Sequence, residues 1–368
     1  MKKNILIITG TLGGGGAEKV LETTLNHFDY NSYNIKLLVY TYSENKNIPK
    51  DVDIKYITKN STRFGVYFLH FKTLHDIYLR HKLNTIFSNC TFDTIISFSE
   101  GKALLCHSLL LKLGKRNISW VHCDISNYMW FKFMFKSEVQ IQQIYSQMDQ
   151  IICVSNAARN GFISRFGLSN KTSTIYNVID KDLIRKKSLE FSVTKTRFTI
   201  TTCGRFIDIK RFDRIIETAK ILRNRHIENI EFWLIGQGPL LYNLQILTEK
   251  YNLTDIIKFQ GFQTNPYPFI KASDILLVTS DTEAYPTVIC EALSLGKIVI
   301  STPVPGCIEL LKNNVGVITE FDNNKIADSI VSIIKDKKLK EYYETNSKLA
   351  GEKFSPKEIM RQIYSLIN

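Results

Sequence analysis

The chain has 368 residues, of which 44% are hydrophobic and 23% charged, with 18 Gly and 8 Pro. Length favours two domains, and the composition excludes a disordered, collagen-like or disulfide-scaffold protein. Residues 1–200 hold 27 Lys+Arg against 15 Asp+Glu, a balance of +12, whereas residues 201–368 hold 21 against 20, a balance of +1. A basic half suggests an anionic partner, such as a membrane surface, a phosphorylated acceptor or a nucleic acid; a lysine-rich surface without a specific partner explains it as well. No apolar run reaches the roughly 20 residues of a spanning helix, and Ile5 to Ile8 is too short for a signal peptide. The expected location is therefore the cytosol. Seven Cys without a C-x-x-C pair fit free thiols rather than a zinc or disulfide framework.

Asn4 to Thr9 is a short β-branched run that predicts a buried strand. Gly10 to Gly16 is a loop, and Glu18 to Phe28 carries an apolar helical stripe. Ile35 to Tyr42, Thr94 to Phe98, Asn117 to Val121 and Gln150 to Val154 predict further strands with helices between. That alternation implies an α/β domain with a parallel sheet. The pattern fades over Asp180 to Lys195, which reads as an interdomain linker.

Alternation resumes with strands at Arg197 to Thr202, Glu231 to Ile235, Ile256 to Gln260, Ile275 to Thr279, Ile298 to Ser301 and Gly316 to Thr319. Helices are predicted at Phe212 to Asn224, Pro239 to Tyr251, Pro266 to Lys271, Pro286 to Leu295, Lys325 to Lys335, Glu341 to Lys353 and Pro356 to Ile367. Two doubly wound halves with a cleft between them are expected. The boundaries are 1–180, a linker at 181–195, 196–353, and a last helix over 354–368.

Four segments could carry chemistry. Gly13-Gly14-Gly15-Gly16-Ala17-Glu18 joins a strand to a helix. Glycines there let backbone N–H groups approach an anion; a flexible turn is the alternative, but four glycines in a row exceed what a turn needs. No Gly-Lys-Ser/Thr follows, and the G-x-G-x-x-G pattern is broken at Glu18, which disfavours a dinucleotide oxidoreductase. Gly204-Arg205 with Lys210 would place two cations at the carboxyl end of a strand, where a diphosphate binds. By itself, a solvated basic loop accounts for the pair. Gly236-Gln237-Gly238-Pro239 repeats a strand-end glycine turn, and Pro239 suits a first helical turn. Glu283-Ala284-Tyr285-Pro286-Thr287 precedes a helix bearing Glu291 amid Ile289, Cys290, Ala292 and Leu293, where a carboxylate needs a partner.

These motifs, in this order and at these spacings, resemble the retaining, nucleotide-sugar-dependent glycosyltransferases of the bacterial GT-B type, the glycosyl transferases group 1. The resemblance spans nearly the whole chain. It implies two Rossmann-like domains, an acceptor-binding N-terminal half and a nucleotide-sugar-binding C-terminal half, with the last helix returning to the first. It implies that Arg205 and Lys210 bind the donor diphosphate, that Glu291 holds the ribose and that Glu283 holds the sugar hydroxyls. The backbone at Ala284, Tyr285, Pro286 and Thr287 would line the sugar and phosphates, with Gly204, Gly236 and Gly238 beside them. Trp120-Val121-His122-Cys123-Asp124 looks like the segment carrying the family's active-site histidine, so His122 would touch the donor sugar; a core histidine is the alternative. Gly15 and Gly16 would close over the phosphates or admit the acceptor. Val154-Ser155-Asn156 and Tyr176 to Asp180 look like further landmarks.

The family commonly has Gly where this chain has Ala284, and Asp where it has Gln237. Both departures bear on donor identity. UDP is the default nucleotide, and the sugar a hexose or N-acetylhexosamine. No Asp-x-Asp metal motif appears and no cofactor or metal is expected. The acceptor is expected to be a saccharide, possibly lipid-linked, in surface-glycan synthesis. A soluble or protein acceptor, a GT-B phosphorylase, an epimerase and a non-enzymatic binding module are the alternatives. Tyr128-Met129-Trp130-Phe131-Lys132-Phe133-Met134-Phe135-Lys136 interleaves aromatics with lysines, which suits peripheral contact with an anionic inner leaflet. The same aromatics could instead pack in the core. No nucleic-acid motif accompanies the charge.

Overall fold

The computed structural model describes residues 2–43, 47–58, 72–126 and 129–368, with the side chains of 72 and 73 excepted. Tyr128 of the aromatic run lies outside the described residues. The chain divides into two compact units, Met1–Val178 with Pro356–Asn368, and Ile179–Ser355.

In the first unit the strands are β1 (Lys3–Thr9), β2 (Tyr33–Thr41), β3 (Asp53–Thr58), β4 (Phe92–Ser97), β5 (Gly114–Val121), β6 (Gln150–Cys153) and β7 (Thr172–Thr174). Their order across the sheet is β3-β2-β1-β4-β5-β6-β7, and every pairing is parallel. Ile5 to Ile8 on β1 and Ile95 and Ile96 on β4 are fully buried, as two-sided cover by helices requires. The order reverses between β1 and β4. The loops leaving those strands therefore diverge, and that opening is where ligands bind in such sheets.

The final helix, Pro356–Ile367, belongs to this unit. Tyr364 stacks on Tyr33 at 5.4 Å and donates its hydroxyl to the His27 carbonyl at 3.0 Å, while the Asp29 N–H donates back to it at 2.8 Å. The sheet edge holds the chain's end as well, because Tyr33 donates to Asn368 Oδ1 at 2.8 Å.

In the second unit the strands are β8 (Phe198–Cys203), β9 (Ile230–Ile235), β10 (Ile257–Gly261), β11 (Ile275–Val278), β12 (Ile298–Ser301) and β13 (Val317–Ile318). The order is β10-β9-β8-β11-β12-β13, again all parallel, and the reversal falls between β8 and β11. One face packs Phe206, Ile215, Phe232 and Leu277; the other packs Leu276, Ile289, Val299 and Leu293.

Several segments depart from the sequence expectations, strand β7 and the helix Pro305–Leu311 among them, and three have a readable cause. The polar stretch after Asp180 carries a helix, Lys181–Lys187, capped by Asp180, whose carboxylate accepts from the Leu183 N–H at 2.9 Å. Its Arg185 donates to the Ser294 carbonyl and pairs with Glu352, so the segment packs on the second unit through charged tips. Strand β3 lies at a sheet edge with mostly part-exposed residues, which left it without a readable apolar run. The helix Lys337–Glu352 begins earlier than its apolar stripe, because Asp336 caps it through the Leu339 N–H at 3.0 Å.

A polar chain runs through the core of the first unit. His107 is fully buried, its Nδ1 3.0 Å from Ser97 Oγ and its Nε2 3.0 Å from Asn117 Oδ1. The amide oxygen can only accept, so Nε2 carries the proton. Burial holds this imidazole down to about 4 and that of His122 down to about 3. An unfolded histidine takes its proton near pH 6.5. Between those values the unfolded chain binds more protons, so stability falls as pH falls. The contribution is complete above pH 6.5 and is lost on the way down towards pH 4, on the order of 3 kcal/mol for a group like His107. Urea midpoints measured from pH 8 to pH 5 should drop below pH 6.5, and more shallowly in His107→Gln. Equal midpoints at pH 7 and pH 5 would contradict this.

Candidate functional site

Beside the reversal in the second sheet, the loops after β8, β9 and β11 leave neighbouring carboxyl ends. The first two are joined by backbone. The Gly204 N–H donates to the Ile235 carbonyl at 3.0 Å, and the Phe206 N–H to the Gln237 carbonyl at 2.9 Å. Gly236 sits at φ 142°, and a methyl group there would overlap the Gly204 carbonyl oxygen. A methyl group at Gly238 would overlap the backbone of Phe206. These two glycines are thus required by loop-to-loop contact, a different reason from the approach of a ligand. Pro239 lies ahead of the helix, which starts at Leu241.

The loop after β11 is strapped to the segment carrying Lys210. Thr279 donates its hydroxyl to the Arg211 carbonyl at 2.9 Å, and the Asp281 N–H donates to the Ile209 carbonyl at 2.8 Å. Arg214 donates to the Thr279 carbonyl at 2.9 Å and pairs with Asp281 at 2.6 Å. Arg211 adds a second pairing with Asp281 at 3.2 Å. Within this frame the Lys210 ammonium donates to Glu283 Oε1 at 2.5 Å, and Ser280 donates to the same oxygen at 2.7 Å. The Glu283 carbonyl accepts from the Gly306 N–H at 3.2 Å, which ties the loop to the helix Pro305–Leu311 after β12. Arg205 is exposed, and among the described residues no carboxylate pairs with it.

Ala284 is buried and keeps a negative φ, so its Cβ costs no backbone strain. Pro286 caps the helix Thr287–Ser294, which follows the Glu283 loop. Glu291 is 5% exposed on that helix, among Ile289, Cys290, Ala292 and Leu293. The structure thus brings Gly204, Arg205, Lys210, Gly236, Gly238, Glu283, Ala284, Tyr285, Pro286, Thr287 and Glu291 to one end of one sheet.

The remaining residues sit in the first unit. Gly15 caps the helix Gly16–Asn26 after β1, and the loop from Gly13 to Gly16 is exposed. His122 follows β5. It retains some exposed surface, but its Nε2 is enclosed and has no hydrogen-bond partner among the described residues. Its ring lies against Phe98, centroids 5.0 Å apart. Held neutral by burial, His122 is equipped to exchange a hydrogen bond and unsuited to carry charge. Ser155 caps the helix Asn156–Phe166 by accepting from the Ala158 N–H at 3.0 Å.

The aromatic run divides. Phe131, Met134 and Phe135 are buried, whereas Trp130 is 42% and Phe133 57% exposed beside exposed Lys132 and Lys136. Sequence reading missed Thr279, Arg214, Asp281 and Gly306, which act through contacts distant in the chain. It also missed Glu100, whose only signal was a carboxylate between a predicted strand end and a glycine.

Two doubly wound parallel α/β units, one with a cation–carboxylate pair at its strand reversal, form the kind of frame that holds a phosphate-bearing ligand at strand ends. Two family models match the chain: Glycosyltransferase Family 4 over residues 14–183 and Glycosyl transferases group 1 over residues 181–350. The chain belongs to the group 1 glycosyltransferases of the GT-B fold, and it is an enzyme of that class.

It is similar to a Campylobacter jejuni N-acetylgalactosamine-N,N'-diacetylbacillosaminyl-diphospho-undecaprenol 4-alpha-N-acetylgalactosaminyltransferase, 24% identical over 95% of each chain. It is also similar to the Schizosaccharomyces pombe phosphatidylinositol N-acetylglucosaminyltransferase gpi3 subunit, 26% identical over 86% of this chain and 68% of that one. The crystal structure of Anabaena HepE with UDP and glucose superposes with a TM-score of 0.79 over 99% of both chains, at 19% identity. That likeness is one of fold.

Adding a side chain at Gly236 should disturb the site through its frame. Gly236→Ala combines overlap with a φ that L-residues avoid, which should cost more than about 1 kcal/mol of stability. Differential scanning calorimetry should register a lower Tm. A wild-type Tm would contradict the close approach.

Proposed function

We propose that the chain is a retaining glycosyltransferase that moves a hexose or N-acetylhexosamine from a UDP-linked donor to a lipid-linked saccharide. The observation that carries this reading is Lys210 held at 2.5 Å from Glu283, with Arg205 exposed on the adjoining strand end. A donor would meet two cations for its diphosphate and a carboxylate for its hydroxyls. Transfer breaks the bond from the anomeric carbon to the diphosphate oxygen and forms one to the acceptor oxygen. The acceptor proton passes to the departing diphosphate. Negative charge grows on that leaving group, so fixed cations there stabilise the transition state more than the ground state. Glu291 holds the ribose. Glu283 and His122 hold the sugar, His122 as a neutral hydrogen-bonding group. Gly15 and Gly16, in the exposed loop after β1, close over the phosphates or admit the acceptor.

The nucleotide choice is supported by HepE, whose crystals hold UDP and glucose. The acceptor choice is supported by the Campylobacter relative, whose name specifies a diphospho-undecaprenol carrier and whose match covers 95% of both chains. A surface-glycan role follows from that acceptor.

Transfer from UDP-linked donors should fall about 10²–10³-fold in Arg205→Ala, Lys210→Ala and Glu283→Ala, as expected when a charge contact strengthening in the transition state is lost. The same assay should keep its rate in EDTA, because side-chain cations carry the leaving-group charge. Wild-type kcat in all three variants would sink the site, and EDTA loss reversed by Mg²⁺ would reassign the charge to a metal.

We also propose peripheral attachment to an anionic membrane face. Trp130 and Phe133 are exposed beside exposed Lys132 and Lys136, and the excess charge of residues 1–200 is +12 by 27 minus 15. Among the described residues no helix is long and apolar enough to cross a membrane. Each basic residue near an anionic surface contributes about 1 kcal/mol. Co-sedimentation with anionic liposomes should weaken with salt and with the pair Trp130→Ser and Phe133→Ser. Protein left in the supernatant at low salt would favour a soluble acceptor.

A further inference from the structure

Glu100 lies at the strand reversal of the first sheet, in the turn after β4. Its side chain is 4% exposed. Next to it, β5 ends at Val121 and delivers His122. Glu100 Oε1 accepts the His122 N–H at 2.5 Å, the Cys123 N–H at 2.9 Å and the Cys123 thiol at 3.1 Å. Two successive N–H groups converging on one oxygen form an anion-binding nest, here filled by the protein's own carboxylate.

The turn that presents Glu100 is itself wedged. Gly101 adopts φ 65°, with the side chains of Trp130, Phe131 and Met134 within 3.3 Å of where its Cβ would stand. Phe98, from the same turn, packs its ring on the His122 imidazole at 5.0 Å. The loop after His122 is held from its far side too, since Arg165 donates to the Ile125 and Ser126 carbonyls at 2.8 and 3.2 Å. One turn thus grips His122 by backbone and by ring. Burial pushes the Glu100 carboxyl up, while the three donors favour its charged form. Burying a carboxylate is unfavourable, and here the cost is offset by pairing the N–H groups of His122 and Cys123, which an apolar side chain would leave without an acceptor.

We infer that Glu100 is a positioning residue that sets the place of the His122 imidazole by clamping its backbone. It rests on the reading of His122 as a residue that serves the transfer. The clamp needs an acceptor at the reach of a glutamate. Charge is secondary, because backbone N–H groups can also donate to an amide oxygen. Glu100→Gln keeps that reach, Glu100→Asp keeps the charge and loses a methylene, and Glu100→Ala loses both.

The experiment is steady-state transfer with a UDP-linked donor for these variants, His122→Ala and the double variants with His122→Ala. Glu100→Asp and Glu100→Ala should lower kcat tenfold or more while donor KM stays within threefold, and Glu100→Gln should recover most of that loss. On a His122→Ala background none of the three should lower the rate further. An effect that adds fully to that of His122→Ala would overturn the inference and leave only a structural role. So would Glu100→Asp turning over like wild type, or Glu100→Gln failing to fold or matching Glu100→Asp in loss. Should Glu100→Ala not fold, the order of Gln above Asp decides the question. If His122→Ala retains full activity while Lys210→Ala does not, the assignment of His122 fails rather than the clamp. In that case the His122 imidazole resonances of Glu100→Asp, shifted or unshifted from wild type, report the clamp directly.

Discussion

Direct backbone contact between the loops after β8 and β9 is the constraint on which the candidate donor site depends. The Gly204 and Phe206 N–H groups are spent on the carbonyls of Ile235 and Gln237, and no side chain fits at Gly236 or Gly238. With the two loops locked together, Arg205 has one way to leave the strand end, and it points to solvent. The segment that follows then carries Lys210 across to the loop after β11, where the Thr279 hydroxyl and the Asp281 N–H donate to its main-chain carbonyls. Lys210 and Glu283 meet because other contacts join the three loops, rather than because the two charges alone draw them together.

That order of causes bears on the electrostatics. Lys210 and Glu283 are each partly shielded, with side-chain exposures of 28% and 10%. A pair of this kind adds little net stability, since lost hydration offsets much of the attraction. Its value is in holding a cation and an acceptor ready at one point. Under the proposed function, a diphosphate arriving there would exchange one anionic partner for another and release Glu283 towards sugar hydroxyls. Ser280, which also donates to Glu283, would keep the carboxylate oriented during the exchange. The ring of arginines and aspartates around Arg214 stands behind this pair and holds the loop from which Glu283 extends.

Much of this was legible in the chain, for physical reasons. Strands buried on both faces must be continuous runs such as Ile5 to Ile8, and those runs declare themselves. Strand ends followed by Gly, Arg, Lys or Glu mark the edge where chemistry can sit. Elements whose signal is not apolar periodicity escaped. Strand β3 is an edge, and the helix Lys181–Lys187 binds its neighbours through guanidinium and ammonium tips rather than through a hydrophobic stripe. Glycine was readable as a demand for close approach, but not what approaches: at Gly236 it is the Gly204 carbonyl. Thr279 and Gly306 support Glu283 through atoms every residue possesses or through a single hydroxyl, so nothing in their identity announced them.

The first unit solves the same positioning problem in another currency. In the second unit the reversal is framed by backbone and by exposed ion pairs. In the first it is framed by buried polar groups: Glu100 under the His122 loop, and the Ser119–Ser97–His107–Asn117 chain beneath β4 and β5. The Ser97–Ser119 link spans β4 and β5 directly, His107 joins both strands to the helix Lys102–Leu110, and Glu100 joins the turns beyond the strand ends, so together they fix that helix and those turns against strands whose backbone ladder already sets their register. Apolar side chains would hold the helix and the turns equally close but would permit sliding, because dispersion contacts are nearly indifferent to a small shift. Hydrogen bonds are not, since they weaken steeply with misalignment. A sheet that holds a loop at a fixed height therefore gains from polar links placed at its carboxyl edge, and that is where Glu100 grips the His122 loop.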